Sequence, residues 1–355
     1  MTEFDSEQMT RSYEHYIWRK LLFILLCVVA MLLVIGYAVT IGSSNLSALD
    51  VYRNIYYHFF DTGKVNDDID WVIFTLRLPR IMTGMVAGMS LGVAGAAMQS
   101  MMKNPLADPY TTGISSGASF GATLAIGLGF MLPGLGGSSG IILMAFIFSL
   151  IPATVIILVS SLRQTSAATM ILAGIAVMYL FNAMTTIIKL RLSDASLSAV
   201  FQWSVGDLST STWESFQVIA VFALVGGGLL FAMSKKLNIL ITGDKNATAL
   251  GLNAHHLRIL LLIIISLMAA SVVCFTGIIG FIGLVAPHIV RIFLGSDNRY
   301  LIPASAAFGA VLLMISDLIA RTIIAPTFLP VGVITAFIGC PMFLWLLIKA
   351  RKNMW

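Results

Sequence analysis

Along this chain, polar residues punctuate long apolar runs rather than alternate with them. Five stretches, 21–49, 81–102, 109–162, 259–290 and 322–348, contain no Asp, Glu, Lys or Arg. A helix of about 20 apolar residues crosses a hydrocarbon core of about 30 Å, so the longest stretches hold two spans each. The pattern predicts ten membrane helices, near 21–41, 77–102, 113–132, 140–160, 167–189, 216–234, 259–276, 278–294, 302–320 and 331–348. The seventh and eighth share one uncharged stretch, with Gly277 and Gly280 marking the turn between them. The expected fold class is therefore an all-α polytopic membrane protein. A polar cytoplasmic tail over 1–20 precedes a single transmembrane domain over 21–355.

Composition agrees. Of 355 residues, 58% are hydrophobic and 10% charged, against about 25% charged in an ordinary soluble domain. The net charge of +5 would suggest nucleic acid only in a soluble protein. Here it follows the bias of cytoplasmic loops towards Lys and Arg. With the N-terminus inside, fourteen of these cations fall on the cytoplasmic side and seven outside, which puts both termini in the cytoplasm. Three of the outer cations, Arg77, Arg80 and Arg321, sit at helix ends against that bias and need a reason. Cys27, Cys274 and Cys340 lie in separate apolar runs, without disulfide or metal spacing.

Glycine spacing predicts how the helices meet. Gly84, Gly88 and Gly92 recur every four residues, as do Gly113, Gly117 and Gly121. Each set forms one flat helix face on which another backbone can approach closely. Spans 2–5 and 7–10 can be drawn as two four-helix groups of opposite orientation, as in transporters built from inverted repeats.

The chain has no GxxxxGK[ST] phosphate loop and no HExxH. No uninterrupted span carries a central charge of the kind that ion-coupled carriers bury. The segment 237–258, LNILITGDKNATALGLNAHHLR, is the longest polar stretch on the cytoplasmic side. Asp244 or Asn246 can cap a short helix through Ala249 and Leu250 that ends at Gly251, making an elbow suited to a partner protein. The run 275–291 ends in Pro287, His288 and Arg291. A metal site, a proton relay and a helix end at a protein contact are all compatible with that ending.

Several motifs in order carry a resemblance. LRLPRIMTGMVAGMSLGVAGAAMQSMMKNPLADPYTTGISSGASFGA (76–122) contains Arg77, Arg80, Gln99, Asn104, Pro105, Asp108 and Pro109 in the pattern R-x-P-R, glycine-rich helix, Q, N-P-L-A-D-P. ATALGL (247–252), GFIGLVAPHIVR (280–291), SDLIAR (316–321) and LPVGVITAFIGCPMFLWLL (329–347) follow. Together these resemble the permeases of iron-chelate and vitamin B12 importers, the type II ABC importers, over nearly the whole chain beyond the first helix. Phe328 stands where such permeases often carry a glutamate.

The resemblance implies a bundle of about ten transmembrane helices that moves a metal chelate inward. Ferric siderophore leads, with corrinoid or haem behind it. It implies that the chain is no enzyme and holds no cofactor, because ATP and Mg belong to a partner ATPase. Its partners would be a second permease copy (homodimer, or heterodimer with a paralogue), two ATPase subunits, an external solute-binding protein and the lipid bilayer. It places ATPase coupling at Asp244, Ala249, Leu250, Gly251 and Leu252. Docking of the binding protein falls to Arg77, Arg80 and Arg321, whose planar forks suit carboxylates. A gate falls at Gln164, Thr165 and Ser166. Pro287, His288 and Arg291 become a structural cytoplasmic helix end, with Arg291 reaching headgroups or the ATPase and no metal bound. An ion-coupled secondary transporter is the competing class, and the missing intramembrane charges count against it.

Overall fold

A computed structural model describes residues 3–42, 46–134, 136–162, 167–324, 327 and 329–349. The described residues form fifteen α-helices, joined by short 3-10 and π-helical turns, and no strand. The first, α1 (Glu3–Thr40), already departs from expectation. The polar tail and the first span form one continuous helix. No break falls at residue 20, where the Lys20 ammonium is buried between the Tyr16 and Tyr300 rings, 4.1 and 4.5 Å from their centres.

Next come α2 (Ala48–Phe60) and α3 (Asp67–Trp71), capped by Ser47 and Asn66, whose side chains accept from Asp50 N–H and Ile69 N–H. A π-helical stretch, Val72–Arg77, runs directly into α4 (Leu78–Met102). The remaining helices are α5 (Ile114–Leu128), α6 (Gly137–Leu162), α7 (Ala167–Lys189), α8 (Asp194–Ser204), α9 (Trp213–Ala232), α10 (Ser234–Ile241), α11 (Asp244–Ala249), α12 (Ala254–Thr276), α13 (Ile282–Leu294), α14 (Asn298–Thr322) and α15 (Val331–Lys349). Among the described residues, seven helices are long and apolar enough to cross a membrane, and α5, α13 and α15 are shorter apolar helices. Together these correspond to the ten expected spans. Large apolar side chains such as Leu32, Leu172 and Leu224 stay exposed on outward faces, as on helices that face lipid.

α4 forms the axis and is buried along almost its whole length. Its glycine stripe fits the backbone of α14. A Cβ on Gly88 would run into Gly309 O, and one on Gly92 into Ser305 O. The second stripe does the same for α5 on α6, with Gly117 against Phe148 O and Gly121 against Met144 O. Such contacts gain dispersion energy where the bilayer offers no hydrophobic drive between helices.

Between the two groups drawn from the sequence the packing is reciprocal. In the first, α4 lies against α14 of the second; in the second, α12 lies against α6 of the first. Within each group the short helix, α5 or α13, leans on the long one that follows it. Both short helices begin deep in the bundle. The residue opening α5, Gly113, sits against Pro152 halfway along α6, and Gly174, a third of the way along α7, meets Thr112. Gly283 in the first turn of α13 meets Gly95 and Leu91 in the middle of α4. The chain therefore leaves the end of α4, re-enters over 103–112, and leaves again as α5. It repeats this over 277–281 into α13.

Candidate functional site

At the end of the bundle that carries α2, two arginines converge on one acid and a third stands beside them. Arg80 donates Nε and Nη2 to Asp317 Oδ1 at 2.9 and 2.7 Å. The Arg321 Nε lies 3.1 Å from the other carboxylate oxygen, one helical turn along α14. Arg77 donates Nη1 to Val39 O at 2.7 Å, and Arg321 Nη1 reaches Ile41 O at 3.4 Å. These carbonyls belong to the outgoing end of α1, where a helix leaves its last acceptors unsatisfied. Arg77, Arg80 and Arg321 are 5%, 7% and 6% exposed. The expectation of an exposed basic cluster is corrected here: the forks are turned inward and join α1, α4 and α14. Asp317, which makes this possible, is 2% exposed. The sequence signal for it was Arg321 four residues on.

The opposite end carries the polar elbow. α11 begins at Asp244 and ends in a Schellman turn: Leu252 N–H bonds Ala247 O at 2.9 Å and Gly251 N–H bonds Thr248 O at 2.9 Å. Gly251 has φ +79°, and no atom lies within 4 Å of where its side chain would be. Leu250 beside it is 65% exposed. The turn thus presents an apolar tip to whatever lies beyond the chain. Ala249 closes α11 and Leu252 turns back onto the core. Asp244 is half-exposed and held by two cations. Arg258 grips it with both Nη atoms at 2.8 and 2.6 Å, and Lys103 Nζ lies 3.3 Å away. The Arg258 hydrogen bonds, helped by Lys103, hold the Asp244 carboxyl down at about 2 despite partial burial. Neighbouring α10 is tied separately, as Asn238 donates to Asp297 at 2.7 Å and accepts from Asn298 N–H at 2.8 Å.

Between the ends lies the re-entrant motif. Lys103 adopts φ +50° as α4 closes, and Asn104 N–H returns to Gln99 O at 3.1 Å. The Asn104 side chain then accepts from Leu106 N–H at 2.9 Å. Pro105 sits inside that turn and Pro109 opens a 3-10 turn (Pro109–Thr112) capped by Asp108, which accepts from Tyr110 N–H at 3.1 Å. These side chains satisfy backbone groups that a re-entrant segment cannot give to water. Gln99 binds across to α13, donating to Leu284 O at 3.1 Å and accepting from Arg291 Nη1 at 3.0 Å.

Arg291 is therefore not the outward-reaching side chain expected: it is 5% exposed and engaged with Gln99. Pro287 lies inside α13 and cannot donate to Gly283 O, which packs on Gly95 instead. His288 is 3% exposed, and neither ring nitrogen has a hydrogen-bond partner among the described residues. Its ring stands edge-on to Phe343 at 6.2 Å. No three His, Cys, Asp or Glu side chains converge among the described residues. Gln164, Thr165 and Ser166, with Phe328, lie outside the described residues.

One feature had no sequence signal. A mainly apolar cavity of about 660 Å³ opens between the end of α8, the 277–281 return and α15. Ile278, Phe281, Val333, Ala336, Phe337 and Cys340 line it, and Phe337 is 74% exposed.

Among the described residues, seven membrane-length helices, three shorter apolar ones and an exposed elbow define a polytopic membrane bundle. The comparisons make this specific. The chain belongs to the FecCD transport family, whose profile matches residues 24–349, and is a permease subunit of an ABC importer. Similar chains include the hemin transport system permease HmuU of Yersinia pestis, 35% identical over 91% of this chain and 95% of that one. The Fe(3+)-citrate import permease YfmD of Bacillus subtilis is 35% identical over 94% and 96%. A solved chain of a metal-chelate type ABC transporter in an inward-facing conformation superposes with TM-score 0.81 at 27% identity, covering 92% of this chain and 99% of that one.

Proposed function

We propose that this chain carries a ferric chelate of the siderophore type across the cytoplasmic membrane, powered by ATP bound and hydrolysed with Mg in a separate ATPase. Corrinoid and haem are the next cargoes in order. Two copies, or this chain and a paralogue, pair across the α15 face, so that the cavity beside α15 becomes half of a shared path. Both termini and α11 lie in the cytoplasm, where each of two ATPases receives the Leu250–Gly251 tip. A solute-binding protein delivers cargo at the α2 end. Gln164, Thr165 and Ser166, which link α6 to α7, remain the candidate gate.

The observation that carries this reading is the pairing of an outward-facing apolar tip on α11 with an apolar cavity at α15. Force enters at the first and cargo passes at the second. A wall of Ile278, Phe281 and Phe337 suits a bulky chelate whose metal charge is already shielded by its ligand.

The test is uptake by proteoliposomes holding the permease, its ATPase and its binding protein. ATP-dependent accumulation of ferric siderophore, above cyanocobalamin and haem, is expected. Uptake driven by a proton or sodium gradient without the ATPase would establish the secondary-transporter reading instead.

A further inference from the structure

The last turn of α4 is closed by a lysine where the geometry favours another residue. Lys103 sits at φ +50°, the left-handed region that costs a side-chain-bearing residue steric energy and that glycine or asparagine usually fills. Its side chain is placed to make a particular contact. The Nζ lies 3.3 Å from Asp244 Oδ1, at the first residue of α11. The same carboxylate takes both Nη atoms of Arg258, from the first turn of α12. Arg258 Nε in turn reaches Met101 O at 3.4 Å, in the last turn of α4. One carboxylate therefore joins three elements: α11, α12 and the end of α4.

From Lys103 the chain leads inward without slack. Asn104 holds Leu106 N–H through its side chain and Ala107 N–H through its carbonyl, at 2.9 and 3.1 Å. Asp108 caps the following 3-10 turn in a capping box with Thr111. The strut ends in the middle of the bundle. A Cβ on Gly283 would stand 3.2 Å from the Asp108 carboxylate, and α5 begins just beyond, at Ile114. Each link is a hydrogen-bonded turn or a charge pair, so the position of α11 is tied to that of the turn.

We propose that Lys103 is a positioning residue of the transport cycle. Through Asp244 it couples the movement of α11 to the 103–112 strut, and so to the starts of α5 and α13. The inference rests on the reading that α11 receives the ATPase. Arg258 holds Asp244 in place, and Lys103 transmits its motion.

Lys103→Met removes the direct link to the strut but leaves Asp244 paired with Arg258, which still reaches Met101 O, so the fold is retained. In proteoliposomes with ATPase and binding protein, the variant should co-purify with its ATPase and hydrolyse ATP within about twofold of wild type, while uptake falls about tenfold. Lys103→Arg should restore most of the uptake. Hydrogen exchange over 104–112 should respond to a non-hydrolysable ATP analogue in the wild-type complex and not in Lys103→Met. Uptake by Lys103→Met at the wild-type rate, or an unchanged nucleotide response over 104–112, would overturn the proposal. So would loss of ATPase association, which would make Lys103 an assembly residue. Absence of any nucleotide response in the wild-type complex would instead remove the ATPase reading of α11.

Discussion

The two re-entrant returns of this bundle solve one geometric problem in opposite ways. After α4, the chain comes back over 103–112 on polar side chains: Asn104, Asp108 and Thr111 each bind the local backbone. After α12, it comes back over 277–281 on GIIGF, with no polar side chain at all. That return is held mainly by what packs on it. Asp207 N–H binds Thr276 O at its start at 2.8 Å, Thr276 Oγ1 donates to Gly277 O at 3.1 Å, Gly277 packs on Trp203 O, and Gly206 and Gly332 pack on Ile278 O. Each return contains one non-glycine residue at positive φ, Lys103 at +50° and Phe281 at +69°. The first reaches out to α11; the second lines the apolar cavity. A self-braced segment transmits force, whereas one braced mainly by its surroundings moves when they do. The self-braced return lies where the motor is proposed to act and the one held by its neighbours where cargo is proposed to pass.

The largest effect should come from the tie between the two halves. Asp317→Asn would leave Arg80 and Arg321 buried without their anion. Breaking a buried pair in this way costs about 3–5 kcal/mol, so the folded yield in detergent should collapse. Yield equal to wild type would show that these arginines do not bind α4 to α14. Next come the helix seams, one in each packing pair. Leucine at Gly88 or Gly117 would meet the carbonyls of Gly309 or Phe148, an overpacking worth about 3 kcal/mol. Thermal unfolding should fall sharply for both, and a variant with an unchanged midpoint would place that glycine face against lipid.

The returns themselves should then separate. Asp108→Ala removes the cap of the polar return and should cost about 1–2 kcal/mol. Phe281→Gly should change stability by less than about 1 kcal/mol, because relief of its positive φ offsets lost contact with Gly339. Equal losses for both variants would erase the contrast drawn above. The smallest effect concerns pH. The Asp244 carboxyl is held down at about 2 by Arg258 and Lys103, below an unfolded value of about 4. Its contribution is therefore complete above about pH 4 and lost as pH falls towards 2. The gap in unfolding midpoint between wild type and Asp244→Asn should be flat from about pH 5 to 8 and close below about pH 4.

Much of this was legible in the sequence, because bilayer thickness and backbone satisfaction leave few options for an apolar chain. Ten spans, two glycine faces and the elbow ending at Gly251 all followed from spacing. The depth of the short helices did not, since an apolar residue in a half-crossing helix looks like one in a full crossing. Only the length of α5 and α13 separates them. The arginines were misplaced for a related reason. Arg77, Arg80 and Arg321 look exposed when each is read at a helix end, and only the fold brings Arg80 to Asp317, 237 residues away. The cavity was invisible because its lining comes from three separate segments with ordinary apolar residues. Arg291 and Gln99 were both noticed, but as members of different motifs rather than as partners.

The central claim is that the cavity beside α15 belongs to a path opened and closed by ATP. Cys340 lines it and is exposed, whereas Cys27 and Cys274 are buried. With those two replaced by serine, Cys340 reports on the cavity alone. Its rate of labelling by a small membrane-impermeant maleimide should be measured in proteoliposomes containing the ATPase, with and without a non-hydrolysable ATP analogue. If the cavity opens and closes with nucleotide, the rate should change at least about tenfold between the two states. The same rate in both states, in a preparation that transports normally, would contradict it.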